Sequence, residues 1–310
     1  MKKVILPILE KKSNKKNGKG FELISNPEFL QESSAIRDTE FPHAIVLGGN
    51  QTEFMKKAKK LFVKLHPNTP IIITNHQTAE IIKYANNSFL ATKISFINNI
   101  SNLCQTLPGT NIDEVAKAIG IDPRIGNQFL NAGPGYGGSC LPKDVQALIA
   151  CQKDLGVEST LLNAVHQTNV LQIKKIIELI KKTLVNVKNK RITILGLSFK
   201  EESDDIRESR SIKLIEMLLE EQSTIIVHDP KAIKNTKEIF KEKINYAKTV
   251  EEALEKSQCV IIMTQWKQYE TLTNNQFKYM RKKFVIDCRR MLAKKQLNVD
   301  YFAIGLGKKD

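Results

Sequence analysis

The chain has 310 residues, 41% hydrophobic and 26% charged, so it is long enough for two or three ordinary domains and too apolar for wholesale disorder. Its formal charge of +15 points to anionic partners. The lysines are nevertheless spread over the whole chain and aromatics make up only 6%, which argues against the basic, aromatic-studded surface of a nucleic-acid binder.

The first 75 residues alternate short apolar runs with polar turns. "VILPILE", "FELIS", "HAIVLGG" and "PIIIT" are β-branched runs bounded by turn residues, and they predict strands. The opening "MKKVILPILEKK" has the basic start of a secretion signal. Its apolar run is too short, is broken by Pro7 and is followed by no small-residue cleavage site, and no stretch of the chain approaches bilayer length. In "NPEFLQESSAIRD", Asn26 reads as an N-cap and Pro27 as a first helical residue, so a short helix opens at Glu28 and places Glu28 and Glu32 one turn apart on a shared face. From His76 to about Thr106 apolar residues keep helical spacing without proline or glycine, which predicts one long helix. A second long helix spans about Thr160 to Leu184, and helices of this length in mid-chain often pack on a partner subunit as well as on their own core. Beyond "NVKNK", the runs "RITILGL", "STIIVHD", "CVIIMT" and "FVIDC" alternate with helices at Ser209 to Glu221 and Val250 to Lys256, the latter with Thr249 and Glu252 as a capping box. That alternation predicts a parallel, doubly wound sheet, with a domain boundary near residue 188.

Five cysteines, Cys104, Cys140, Cys151, Cys259 and Cys288, are odd in number and scattered, with no C-x-x-C pair. Neither a disulfide framework nor a zinc site is expected, and a reducing, cytoplasmic compartment is implied. The five histidines show no metal spacing. The most informative stretch is "AGPGYGGSCLPKD", residues 132 to 144. Gly133, Gly135 and Gly138 satisfy G-x-G-x-x-G literally, but no apolar strand precedes them, so the dinucleotide reading fails on context. The glycines instead suit backbone that approaches a ligand closely. Pro142 then marks a helix start with Cys140 at its N-terminus and Lys143 nearby, a setting that favours the thiolate. The bland alternative, a cysteine filling a core gap, fits poorly among glycines and charges.

Four segments, "NPEFLQESSAIRD", "AEIIKYANNSFLATKISFINNI", "RIGNQFLNAGPGYGGSCLPKD" and "ILGLSFKEESDDIRESRS", together resemble the UDP-glucose/GDP-mannose dehydrogenase family, on its UDP-glucose 6-dehydrogenase branch, over essentially the whole chain. The resemblance implies NAD-dependent oxidation of a nucleotide sugar at C6, from alcohol to acid, through a thiohemiacetal and a thioester on Cys140. It implies that Lys83 and Asn87, i and i+4 on the long helix, hold the oxyanion, and that Asp144, Glu28 and Glu32 position and deprotonate water, with the base among them left open. It also implies sugar-nucleotide contacts at Glu28, Phe29, Leu30, Lys83, Asn87, Arg124, Phe129, Leu130, Asn131, Ala132, Gly133, Gly137 and Lys200, with Arg124 reaching a neighbouring subunit's ligand. Cofactor contacts are implied at Glu32, Lys143 and Arg207, and no metal is expected. The plain alternatives are an exposed helix lysine at 83 and carboxylates that merely suit helix dipoles.

The expected fold is therefore α/β: a C-terminal remnant of an N-terminal Rossmann-like NAD-binding domain at 1–75, a central long-helix dimerisation and catalytic region at 76–188, and a C-terminal doubly wound, parallel-sheet UDP-sugar-binding domain at 189–310. The expected reaction is the oxidation of UDP-glucose to UDP-glucuronate. Alternatives are a UDP-N-acetylhexosamine or GDP-mannose dehydrogenase, or a non-catalytic nucleotide-sugar-binding fragment. Expected partners are the UDP-sugar and a second copy of the chain, with no nucleic acid and no membrane. Most of the family's N-terminal domain, with its glycine turn and a threonine placed near the reacting water, has no counterpart in these residues. A fragment, a mis-started reading frame and a split enzyme completed by a separate polypeptide carrying the NAD domain all fit that pattern.

Overall fold

The computed structural model describes residues 3–307, which divide into two units, one ending at Asn87 and the other beginning at Ser88.

In the first unit, α1 (Ile5–Ser13) stands where "VILPILE" predicts a strand. Ile5, Ile8 and Leu9 recur at helical spacing, and Pro7 falls in the first turn, where its missing N–H costs no intrahelical bond. "FELIS" contributes only the two-residue β2 (Gly20–Phe21), which pairs with β1 (Lys16–Asn17). No helix opens at Glu28. Asn26 donates its Nδ2 to Val46 O (2.9 Å) instead of capping, Glu28 Oε2 accepts from the Leu30 amide (2.6 Å), and Asp38 Oδ2 accepts from the Gln31 amide (2.8 Å). Side chains thus satisfy the amides that would otherwise seed a turn, a known competition between short polar side chains and helix. A 3-10 turn (Glu32–Ser34) and α2 (Ala35–Glu40) follow, so Glu28 and Glu32 do not share a helical face.

β3 (Ile45–Gly48) and β4 (Ile71–Thr74) pair in parallel, joined by α3 (Glu53–Leu65), a helix the sequence reading did not name. Their core is small: Ile45, Leu47 and Met55, packed by Ile24, Ala58, Phe62, Ile71 and Ile73. The long α4 (His76–Cys104) starts here, as its apolar spacing predicts.

The second unit takes up α4 at Ser88 and adds α5 (Ile112–Gly120), α6 (Leu141–Asp154) and α7 (Thr160–Leu184). Its sheet comprises β5 (Arg191–Leu195), β6 (Thr224–His228), β7 (Asn245–Tyr246), β8 (Cys259–Ile262), β9 (Phe284–Asp287) and β10 (Asp300–Ala303), with α8 (Arg210–Glu220), α9 (Ile233–Phe240), α10 (Val250–Leu254), α11 (Lys267–Glu270) and α12 (Asn274–Phe277) in the connections. All six strands are parallel in the order β10-β9-β8-β5-β6-β7. That order reverses between β5 and β8, which makes it a doubly wound sheet with its switch point there. Period-2 alternation along β5 sends Ile192 and Ile194 to a core shared with Ile176, Ile180, Leu214 and Leu218, while Leu195 joins the opposite core with Trp266, Tyr269 and Phe277. The capping box at α10 forms only in part: Thr249 accepts from the Glu252 amide (3.1 Å), but the Glu252 carboxylate accepts from Lys248 N (2.8 Å), one residue short of the cap.

Candidate active site

The stretch from Ala132 to Lys143 belongs to the second unit and lies on the carboxyl edge of its sheet, where ligands of doubly wound folds bind. Helix α7 holds it from one side. Asn169 and the backbone of Tyr136 exchange two hydrogen bonds (2.8 and 3.0 Å), and Gln172 donates to Gly133 O (2.9 Å). From α4, Asn98 accepts the Gly133 amide (2.8 Å). The loops that follow the strands hold the other side: Arg290 donates to Ala132 O (2.9 Å) and Arg207 O accepts from the Gly138 amide (2.9 Å).

The glycines serve these contacts. A Cβ on Gly137 would stand 2.4 Å from Glu208 O, and one on Gly138, at φ +80°, would stand 2.7 Å from the Phe199 ring. Gly133 packs against Arg289, whose guanidinium would be 2.9 Å from a Cβ there. At these positions the missing side chain leaves room for neighbouring parts of the protein. The result is a loop pinned at both ends by buried polar groups.

Cys140 is the N-cap of α6, with Leu141 and Pro142 as the first two helical residues, and it is exposed. Its Sγ lies 3.6 Å from Ser139 Oγ. Cys104, Cys259 and Cys288 are buried, and burial pushes the last two thiols well above their ordinary range. Cys151 is exposed further along α6. Among the five, Cys140 alone joins exposure to the amino end of a helix. Asp144 is buried one turn on, its amide bonded to Cys140 O (2.9 Å), and exposed Lys143 places its Nζ 3.7 Å from the Asp144 carboxylate.

Within the first unit, Glu28, Phe29 and Lys83 come together. Lys83 Nζ is 3.3 Å from Glu28 Oε1 and 5.6 Å from the centre of the Phe29 ring. The Lys83 side chain is only 18% exposed, so it is not the solvated helix lysine of the plain alternative. Asn87, four residues on along α4, is buried and accepts from Asn86 Nδ2 (3.2 Å). Leu30 is exposed, as is Glu32 in the 3-10 turn.

The remaining candidates lie in the second unit and differ in character. Leu130 and Ala132 bury their side chains in a core with Ile97, Cys104 and Ile112, so only their backbone is available to a ligand. Phe129 adopts φ +63° and is half-buried, and Asn131 is exposed. Arg124 is exposed and clamped by Asp122 (2.6 Å), which raises its pKa and lowers that of Asp122. Arg207 is clamped in the same way by Asp205 (2.6 Å), and Lys200 lies over the Phe199 ring at 5.6 Å. Among the described residues no cluster of His, Cys, Asp or Glu could hold a metal ion, and no helix is long and apolar enough to cross a membrane.

Sequence reasoning missed the residues that hold the loop. Asn169 and Gln172 stand as a polar interruption of the apolar stripe of α7, and that interruption was the available signal. Arg289 and Arg290 follow β9 directly, in "DCRR". Arg290 bridges Asp113 (2.8 Å) and the Ala132 carbonyl, while burial holds the Arg289 guanidinium below its ordinary pKa. Two arginines just past a strand end are a sign of the ligand-facing sheet edge.

Dinucleotide binding asks for a strand, a glycine turn and a helix whose free amides meet the pyrophosphate. The one such turn of the first unit, Gly48–Gly49 between β3 and α3, does not fit. The Gly48 amide donates to Ser25 O (2.7 Å) and that of Gly49 to Thr74 O (2.8 Å), and a Cβ at Gly48 would stand 2.4 Å from that of Ala79. Among the described residues no other strand-glycine-helix turn occurs in that unit.

Three family domains match this chain: the NAD binding domain of the UDP-glucose/GDP-mannose dehydrogenase family at residues 1–66, its central domain at 77–170 and its UDP binding domain at 193–294. The UDP-glucose 6-dehydrogenase AglM of Haloferax volcanii is 39% identical over 301 residues, covering 96% of this chain and 69% of the relative. TuaD of Bacillus subtilis, also a UDP-glucose 6-dehydrogenase, is 37% identical over 309 residues, covering 98% of this chain and 66% of the relative. The structure of a UDP-glucose dehydrogenase from Pyrobaculum islandicum superposes with a TM-score of 0.83 at 33% identity, covering 93% of this chain and 65% of that one. The chain thus spans about two thirds of the length of these relatives. With matches to all three family domains, and with more than 35% identity to curated members over nearly its whole length, the chain belongs to the UDP-glucose/GDP-mannose dehydrogenase family of NAD-linked oxidoreductases.

Proposed function

We propose that this chain supplies the nucleophile and the sugar-nucleotide site for the four-electron oxidation of UDP-glucose at C6 to UDP-glucuronate. The observation that carries the reading is Cys140, exposed at the amino end of α6 on a loop pinned to the carboxyl edge of the parallel sheet. The thiolate adds to the C6 aldehyde, a C–S bond forms, and the carbonyl electron pair moves to oxygen to give a thiohemiacetal. Each of the two oxidations releases one hydride, for which NAD, the family's cofactor, would supply the acceptor, one molecule per oxidation. Water then adds to the thioester, the C–S bond breaks, and the thiolate leaves with its electron pair. In this reading Lys83 and Asn87 stabilise the oxyanion, and Asp144, Glu28 and Glu32 orient and deprotonate the water. The ion pair of Lys83 with Glu28 supports a shared task for those two residues. Phe29, Leu30, Arg124, Phe129–Gly133, Gly137 and Lys200 contact the sugar nucleotide, and Glu32, Lys143 and Arg207 the cofactor.

The absence of a fitting pyrophosphate turn among the described residues supports weak NAD binding by this chain alone. We propose that full activity needs the rest of the NAD domain, supplied by a separate polypeptide or by further sequence. The two-stranded β3–β4 ribbon, with Ile72 of β4 46% exposed, supports that need, since so short a ribbon is marginal by itself. Exposed Phe89, Phe96 and Leu103 recur every seven residues along α4 and support a dimer. Calorimetry with UDP-glucose, followed by assay of reduced nicotinamide after addition of NAD, tests the reading. UDP-glucose should bind, turnover should be slow, and Cys140→Ser should abolish product. Turnover indifferent to Cys140→Ser, or preference for GDP-mannose or a UDP-N-acetylhexosamine in a substrate panel, would replace it. Binding without turnover when a complete NAD domain is supplied would mark a non-catalytic sugar-nucleotide module.

A further inference from the structure

A second cleft lies between α6, α7 and α8, and its wall includes Asn169 and Arg210, which flank Gly135. It encloses about 210 Å³ and is lined by Pro142, His166, Lys174, Glu208, Arg210 and Lys213, among others. Pockets for nucleotide-sized ligands run to about 300–1,000 Å³, so this one suits something much smaller. Three of its ionisable side chains are lysine or arginine and one is a histidine, against a single carboxylate, and Val170, Ile173 and Met217 make much of the remaining wall apolar.

Arg210 is the telling member. It is the first residue of α8, where the helix dipole is positive and a cation is disfavoured. Its side chain is only 10% exposed, and burial draws its pKa below the ordinary value. Its ion pair is long, 3.4 Å to Glu208, whose own side chain is 51% exposed. Nearby, close enough to couple electrostatically with that guanidinium, the buried Tyr136 hydroxyl has no hydrogen-bond partner. Lys174 and His166 have no ion-pair partner among the described residues, and the exposed pair of Lys213 with Glu216 (3.1 Å) is of the kind worth little. Arg210 Nε also donates to Glu208 O (3.3 Å), so two long bonds to one residue serve this buried cation, and a multivalent anion would add several charge-assisted hydrogen bonds.

We propose that this cleft binds a small oxyanion of the phosphoryl class, held by Arg210 with Lys174 and Lys213. The anion neutralises a guanidinium on the segment whose backbone carries the glycine loop, through Glu208 O at Gly137 and Arg207 O at Gly138. Occupancy therefore stiffens the loop that leads to Cys140. The ligand is either free phosphate or the phosphoryl group of a larger molecule that reaches in from solvent. The inference does not depend on the catalytic reading, because it concerns binding alone.

The test is calorimetric titration of the full chain with inorganic phosphate at constant ionic strength, with chloride as the control salt. The wild type should bind phosphate saturably, and the exposed double variant K174Q/K213Q, which removes no core group, should bind about tenfold more weakly. E208Q, which removes the competing carboxylate, should bind more tightly. If chloride reproduces the phosphate heat, or if the double variant and E208Q bind as the wild type does, the proposal is overturned. Repeating the titration with NAD or UDP-glucose at saturation separates the two sources: retained phosphate binding assigns a free ion, and mutual exclusion assigns the phosphoryl group of that ligand. Arg210→Gln adds a second readout. The wild-type melting temperature should rise with phosphate, and that of the folded Arg210→Gln protein should not; an equal rise would also overturn the proposal.

Discussion

Asn169→Ala tests whether helix α7 holds the glycine loop in place. The Asn169 side chain accepts from Tyr136 N at 2.8 Å and donates to Tyr136 O at 3.0 Å, and the residue is 3% exposed. Removing it leaves a buried amide and a buried carbonyl without partners. Each lost bond has a net worth of about 1 kcal/mol, and each orphaned group adds a desolvation penalty, so the total is about 2–4 kcal/mol. The assay is urea unfolding followed by Trp266 fluorescence, since that indole is buried in the sheet domain. Alkylation of Cys140 in a Cys151→Ser background supplies the local readout and should quicken as the loop loosens. Asn169→Asp keeps the acceptor and loses the donor, so it should fall between wild type and alanine. A loss under about 0.5 kcal/mol, the range of surface substitutions, together with unchanged alkylation, would refute the reasoning.

Arg290→Ala removes a side chain 4% exposed that joins Asp113, Ile304 O and Ala132 O, and it should cost about 2–4 kcal/mol in urea unfolding. The cost stays below that of a fully buried pair because Asp113 is half-exposed and can be solvated. Gly137→Ala pushes a Cβ to 2.4 Å from a backbone carbonyl that cannot swing away. It should lower the melting temperature and open the loop to trypsin, and an unchanged digestion pattern would contradict the docking. Burial lowers the His228 pKa, so below the unfolded value the unfolded chain takes up a proton that the folded chain refuses. His228 therefore subtracts stability as pH falls through and below the ordinary imidazole value of 6.5, and His228→Gln should show a smaller fall in urea midpoint there.

The parts of the fold legible in the sequence are those in which one periodicity runs unbroken. Helices α4 and α7 keep helical apolar spacing for 29 and 25 residues, and β5, β6, β8 and β9 are β-branched runs too apolar for anything but a buried sheet. Short segments went astray where local and tertiary signals compete. The Val/Ile/Leu run of α1 has strand composition and helix spacing, and residues 26–31 lose their helix to side chains that capture its amides. The place of Cys140 at or near a helix N-terminus was legible because Pro142 announces the helix start. The docking of its loop was not, because it depends on Asn98, Asn169, Gln172 and Arg290, which lie far away in sequence and meet only when the sheet has formed. The sequence could not show that Gly137 and Gly138 also leave room for Glu208 and Phe199, because those contacts join distant parts of the chain.

The most direct test of the account asks whether Cys140 traps the substrate aldehyde. The protein is mixed with the UDP-glucose 6-aldehyde carrying ¹³C at C6, and the carbon spectrum is recorded without NAD, so that cofactor affinity plays no part. The account predicts a bound thiohemiacetal carbon in the wild type that is absent from Cys140→Ala, with both proteins still binding UDP-glucose. The same bound carbon in both proteins, or only free hydrated aldehyde in both, would contradict it.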